Sequence, residues 1–220
     1  MLKRFEKSDI DSAYELFAEF CTRLGFKKKR KNLFIRPAED QIKHAICLNH
    51  FIKYGELHVS ISLCVFHDGI RAIVNEGMPR HPDYKVSSKN GQLDDTLDVS
   101  VPKFIIARQT GKGAVSDYTI SAPEEVENVM AQVFRDTEQV IHDYFSLQET
   151  IQGLIVYFQK TPRAGGTAHW VKLMAMLFYA GRLKELRNLI IKLESELTVP
   201  ITEKMIAYMQ KKIASEARAQ

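Results

Sequence analysis

From Ile42 to Phe66 the chain alternates between apolar and polar positions with a period of two, interrupted once at Lys53-Tyr54-Gly55-Glu56. Ile42, His44, Ile46, Leu48, His50 and Ile52 form one set before the interruption; Leu57, Val59, Ile61, Leu63 and Val65 form one after it. Period-two alternation puts each set on one face of a strand, so the stretch predicts one long β-hairpin. With Ile52 and Leu57 flanking the turn, Leu48 lies opposite Ile61 and Ile46 opposite Leu63. A slip by one residue sets Ile46 against Ser62, so burial selects the first register. Gly55 falls where such a turn needs a positive φ. The second face carries Lys43, Cys47, Asn49, Phe51, His58, Ser60, Ser62 and Cys64. It is mixed, and its covering is left open between solvent, a helix and a partner.

On either side of the hairpin the period changes. Ser8-Asp9-Ile10-Asp11 offers N-cap chemistry, and Ile10, Ala13, Tyr14, Phe17, Phe20, Cys21 and Leu24 continue at helical spacing to a C′ glycine at Gly25. Residues 33–36 read as a short strand that Pro37 ends or marks as an edge. Residues 70–74 read as a strand or a short helix. Residues 77–83 and 87–91 are loop-like, with Asn90-Gly91 a candidate tight turn between 84–87 and 93–101. Tyr118-Thr119-Ile120 is a last short strand. Pro123-Glu124-Glu125 then opens a helix with its stripe on Val126, Val129, Met130, Val133, Phe134, Val140, Ile141 and Phe145. Further helices are predicted over 147–160, 168–180, 183–197 and 201–217, with 161–166 as a linker. The pair hinged at Gly181-Arg182 resembles a single tetratricopeptide-type helical hairpin. The expectation is an α+β protein: an N-terminal helix and an antiparallel sheet built on the long hairpin, then a C-terminal helical layer or small bundle. The expected division is an α+β domain over 1–160 and a helical subdomain over 167–220.

Composition narrows this picture. With 220 residues, 45% hydrophobic and 26% charged, the chain is long enough to bury its own core. A net charge of +4 is too small to imply nucleic acid unless the cations cluster. They do cluster once, at Lys27, Lys28, Lys29, Arg30 and Lys31, with Arg36 close behind. The plain reading of this run is a solvated turn between helix and strand. The sharper one is a patch for phosphate or an acidic protein surface. The second candidate surface is the loop-rich middle, at Arg80, His81, Asp83 and Tyr84. No apolar run is long enough to span a bilayer, and the N-terminus lacks the apolar stretch of a signal peptide. Cys21, Cys47 and Cys64 are odd in number and unpaired by spacing, which suits reduced thiols in the cytoplasm.

Motif chemistry is sparse. His44 and His50 share a strand about 20 Å apart at ~3.3 Å per residue, so one metal cannot bridge them. The other histidines lack zinc-ligand spacing, no phosphate loop or nucleophile elbow is present, and the thiols sit within strand or helix patterns. No metal, cofactor or catalytic residue is therefore assigned. An active site assembled from distant residues leaves no local motif, and that reading stays open.

The order of helix, Gly25-Phe26-Lys27-Lys28-Lys29, Phe34-x-Arg36 and then the hairpin, with Ile46-Cys47-Leu48-Asn49 and Leu57-His58-Val59-Ser60-Ile61, resembles a family of bacterial domains of unknown function. The likeness covers about two-thirds of the chain, more loosely from Tyr118 to Leu154. The chain departs from the family pattern at Asn49-His50 and at Asp117-Tyr118. The family offers no catalytic residue to carry over. It implies a part in bacterial competition or toxin-immunity loci. The functional expectation is a non-enzymatic cytosolic protein-binding module, an immunity-type protein that neutralises a toxin by direct binding. The alternatives are a nucleic-acid-binding accessory protein that uses residues 27–36, or an enzyme with a dispersed site.

Overall fold

The computed structural model describes residues 5–77, 118–160, 168–196 and 200–219. The strand readings over 84–87 and 93–101, and the linker at 161–166, lie outside them. The described residues fall into two compact units, α+β in the first and helical in the second.

The first unit holds residues 5–38, 43–65 and 118–147. Helix α1 (Lys7–Arg23) begins one residue before the expected Ser8, where the Glu6 N–H donates to Asp9 Oδ2 at 2.7 Å. It ends as the sequence demands. Gly25 takes φ +80°, its N–H reaches the Thr22 carbonyl, and the Phe26 N–H reaches that of Cys21, the paired bonds of a Schellman motif. A five-stranded sheet follows in the order β1 (Lys27–Arg30), β2 (Leu33–Pro37), β3 (Lys43–Lys53), β4 (Glu56–Phe66) and β5 (Tyr118–Ile120). Between β3 and β4 only Tyr54 and Gly55 form the turn, at φ +54° and +83°, the two positive values of a type I′ hairpin. This turn sets Lys53 opposite Glu56, and the Phe51 ring stacks on His58 at 4.7 Å in the register that follows.

Lys27–Arg30 is a strand, and this corrects the reading of the basic run as a turn. It pairs antiparallel with β2 across a two-residue connection, Lys31-Asn32, with an irregularity between Lys28 and Arg30. All four side chains are exposed. A run of like charges has no apolar alternation, so periodicity cannot reveal such a strand. At a sheet edge its backbone needs only one neighbour, and its lysines keep other edges away.

Helix α3 (Val126–Ser146), entered through a 3-10 turn at Pro123–Glu125, packs beside α1. One sheet face meets this pair. Phe17 meets Phe34 edge-on at 5.5 Å, His44 stacks on Phe145 at 4.3 Å, and Phe20 stacks on Phe134 at 4.4 Å between the helices. The opposite face, whose covering the sequence left open, is also buried along its middle at Ala45, Cys47, Ser60 and Cys64. All three thiols are buried and none is in a disulfide.

The second unit holds residues 39–42, 66–77, 148–160, 168–196 and 200–219. Its helices are α2 (Asp68–Gly77), α4 (Ile151–Lys160), α5 (Ala168–Tyr179), α6 (Leu183–Glu196) and α7 (Pro200–Ala219). Every residue from Val171 to Leu177 is buried, Lys172 included, so α5 is covered all round and forms the centre, against α2, α4, α6 and α7. The pair α5 and α6, joined at Gly181 with φ +67°, is therefore not a free-standing repeat. Nor do the units divide near residue 160. Ile151, Leu154, Ile155 and Phe158 of α4 are buried and the helix packs on α5, which draws it into the later unit. Residues 70–74, left open between strand and helix, lie in α2. A Cβ on Gly77 would fall 2.4 Å from Met205 Sδ, so α2 and α7 meet there only because the side chain is absent.

His169 sits at the heart of this unit, fully buried between Phe158 at 5.0 Å and Trp170 at 4.7 Å. Neither ring nitrogen has a hydrogen-bond partner among the described residues. Burial, then the nearby Lys172, pushes its pKa down to about 4 from 6.5. The unfolded chain thus binds a proton between pH 6.5 and 4 that the folded chain refuses, so stability is lost as pH falls through that window. The expected loss is about 3 kcal/mol. Urea denaturation of wild type and His169→Phe at pH 7, 5.5 and 4.5 should show a gap between the two that shrinks or reverses in acid. A constant gap would assign the acid sensitivity elsewhere.

Candidate docking edge

The basic run reaches the surface by an unusual route. Strand β1 is the outermost strand, and α1 packs against it. Register places Lys27 opposite Ile35, Lys28 opposite Phe34 and Arg30 opposite Leu33, so the cations leave the sheet toward both faces. No ion pair ties Lys27, Lys28, Lys29 or Arg30 to any described residue. Four cations thus stand along roughly 13 Å of backbone at ~3.3 Å per residue. A charge line of this density attracts an anionic surface over about one Debye length, ~8 Å at physiological salt.

The other two candidate cations are engaged in the fold. Lys31 pairs with Asp11 of α1 and lies over the Tyr14 ring at 4.7 Å. The Lys31 hydrogen bond holds the Asp11 carboxyl below the usual range. Arg36 lies over Phe26 at 4.8 Å and Phe145 at 6.0 Å. It donates to the Leu24 carbonyl and to His44 Nδ1, both at 3.4 Å. Its guanidinium fastens the end of α1 to the sheet. Arg80, His81, Asp83 and Tyr84, the loop candidates, lie outside the described residues.

At the end of the β1–β2 hairpin the Tyr14 hydroxyl and His50 Nδ1 are hydrogen-bonded at 2.7 Å. Burial raises the Tyr14 pKa, and burial with Lys31 lowers that of His50. Both are thus held neutral at pH 7, one a donor and the other an acceptor. Burial also pushes the Cys21 thiol well up, away from reactivity. Among the described residues no group of histidine, cysteine and carboxylate side chains is arranged to hold a metal ion, and no helix is long and apolar enough to cross a membrane.

One part of the surface escaped the sequence reading. The tip of the long hairpin is bare, with Phe51 42%, Ile52 50% and Tyr54 87% exposed. Alternation places Ile52 in the buried set, and the structure exposes it. The signal was present in the lengths: the strand predicted at 33–36 is too short to cover a hairpin arm that runs to residue 52.

Comparison of the chain with family models, with curated proteins and with solved structures returns no match.

The contrast between the two kinds of cation is measurable. Arg36→Leu should lower unfolding free energy by about 1–3 kcal/mol, through lost hydrogen bonds and aromatic contact. Lys28→Glu with Lys29→Glu should stay within about 0.5 kcal/mol of wild type. Urea titrations of the three proteins decide, and equal stabilities would remove Arg36 from the structural role.

Proposed function

We propose that this chain is a non-enzymatic protein-binding module that meets an acidic surface of a partner protein through strand β1. The observation that carries the reading is the exposed line of Lys27, Lys28, Lys29 and Arg30 on an edge strand, unpaired with any described residue. Such a line costs self-repulsion and contributes no core, while a partner with clustered carboxylates relieves the repulsion and gains steering. The family resemblance makes the partner a toxin and this chain its immunity-type protein, acting in the cytoplasm by direct occlusion.

The test takes an acidic protein encoded in the same locus. Binding is followed by calorimetry from about 50 to 500 mM salt, with wild type and a variant carrying Glu at positions 27, 28, 29 and 30. Reversal should weaken binding at least about 30-fold at low salt, from several rim charge pairs acting together. Affinity unchanged by the reversal sinks the proposal.

A second reading is favoured by one observation. Phe51 and Tyr54 are exposed aromatic rings on the same sheet as the basic strand, and single-stranded nucleic acid is held by such rings with cations alongside. Its mark would be tight binding of a labelled oligonucleotide, lost on Tyr54→Ala with Phe51→Ala as well as on charge reversal.

A further inference from the structure

Strand β2 covers only part of β3. Their pairing ends at Leu33 opposite Cys47, and the last bond runs from the Leu48 N–H to the Asn32 carbonyl at 3.0 Å. Strand β3 continues to Lys53. From Asn49 to Lys53 it therefore has β4 on one side and no described strand on the other.

Turn geometry gives the phase of this open edge. In a two-residue hairpin the residues flanking the turn, here Lys53 and Glu56, direct their N–H and C=O groups at each other. Phe51 follows Lys53 in pointing toward β4. Ile52 and His50 then point theirs outward, as does Leu48, whose outward N–H is the one that Asn32 accepts. Two N–H and two C=O groups are thus offered in line on the open edge.

The usual protections of a free edge are thin here. Residues 49–53 contain no proline and no glycine, and three neighbouring side chains, His50, Phe51 and Ile52, are exposed. Charge appears at the two ends, as Lys53 at the tip, with Glu56 across the turn from it, and as Arg30 at the β1–β2 turn, where Lys31 is already paired with Asp11. That arrangement selects the occupant. A second copy of this chain would bring the same cations against one another across a two-fold axis. An extended segment with an apolar middle and acidic residues near its ends meets both the apolar side chains and the flanking cations.

We propose that the edge of β3 from Asn49 to Lys53 is a strand-acceptor site for an acidic, extended segment of a partner protein, which adds to the sheet in line with β2. This rests on the protein-binding reading above and specifies how the partner is held: by main-chain bonds at His50 and Ile52 for affinity, and by Arg30 and Lys53 for choice of sequence. Tyr14 supports the site by fixing the His50 ring against α1.

The probe is a six-residue peptide of alternating Glu and Val, added to the full chain labelled with nitrogen-15. Amide exchange is read residue by residue. The site predicts that exchange at His50 and Ile52 slows about tenfold or more on saturation, while Phe51 and Lys53, already directed at β4, change little. Lys53→Glu should weaken the peptide about three- to tenfold. A Lys/Val peptide of the same length should bind far less. Peptide binding that leaves His50 and Ile52 exchange unchanged overturns the site while sparing the basic-strand reading. No binding at about 1 mM peptide also overturns it, as does a dimer of the free chain that the peptide fails to dissociate. Loss of the partner's sensitivity to β1 charge, with protection at His50 and Ile52 intact, would instead retire the basic-strand reading alone.

Discussion

The first unit depends on a two-residue turn. Tyr54 and Gly55 both sit at positive φ, which an L-residue such as Tyr54 adopts at a cost and glycine adopts freely. In return the turn matches the twist of the two arms and fixes their register. Because side chains alternate, that one choice decides the face of every residue along eleven-residue arms. It puts His44, Ile46 and Leu48 toward the helices and Cys47, Asn49 and Phe51 away from them. It also fixes which main-chain groups look outward along β3, and so where β2 attaches and where no described strand does.

Packing on the helical face is aromatic and joins residues distant in sequence. Phe17 and Phe20 lie on one stripe of α1, Phe34 on β2, Phe145 near the end of α3. Their edge-on and stacked contacts fix orientation as well as burying area. Arg36 enters this layer as a cation with aromatic faces around it, a state that its weakly hydrated guanidinium tolerates and a lysine ammonium would not. That difference explains how one stretch of ten residues can hold both a structural cation and a line of solvated ones. Lys27 to Arg30 lie where the sheet has no further described strand, and Arg36 lies on a strand between two neighbours.

Much of this was legible in the residues. The hairpin, its turn, the C′ role of Gly25 and the strand at Tyr118-Thr119-Ile120 all follow from local pattern, because each is set by main-chain geometry or by one buried face. β1 was not legible. A strand of four cations is held by the backbone of its neighbour, and its side chains carry no trace of that. The central position of α5 was half legible. Its composition is largely apolar, but the helices that surround it come from residues 68–77 and 151–160, before the linker, as well as from 183–196 and 200–219, after it. Sequence proximity suggested a hairpin of α5 with α6, whereas burial required more cover than one helix gives. The candidate surface divides the same way. The charge of the basic run was visible; its separation into free and engaged cations depends on Asp11, Phe26 and Phe145, which are distant in sequence.

The two edges facing away from β4 follow opposite strategies. β1 is short, irregular and fully charged, so an uncharged strand gains little by approaching it and must strip water from four cations. The outer part of β3 is regular, exposes Phe51 and Ile52, and carries its one charge, Lys53, at its end. Placed side by side, the edges sort partners rather than simply repelling them. A neutral strand meets main-chain groups on β3 but must sit beside an unanswered positive line. An acidic segment without extended backbone is drawn in by β1 but leaves His50 and Ile52 unpaired. Only a segment that is both extended and acidic satisfies the two conditions together. Specificity of this kind needs no pocket and no catalytic group. It needs a hairpin longer than its neighbour and a row of cations where that neighbour's outer edge lies, and both are fixed by residues 27–56.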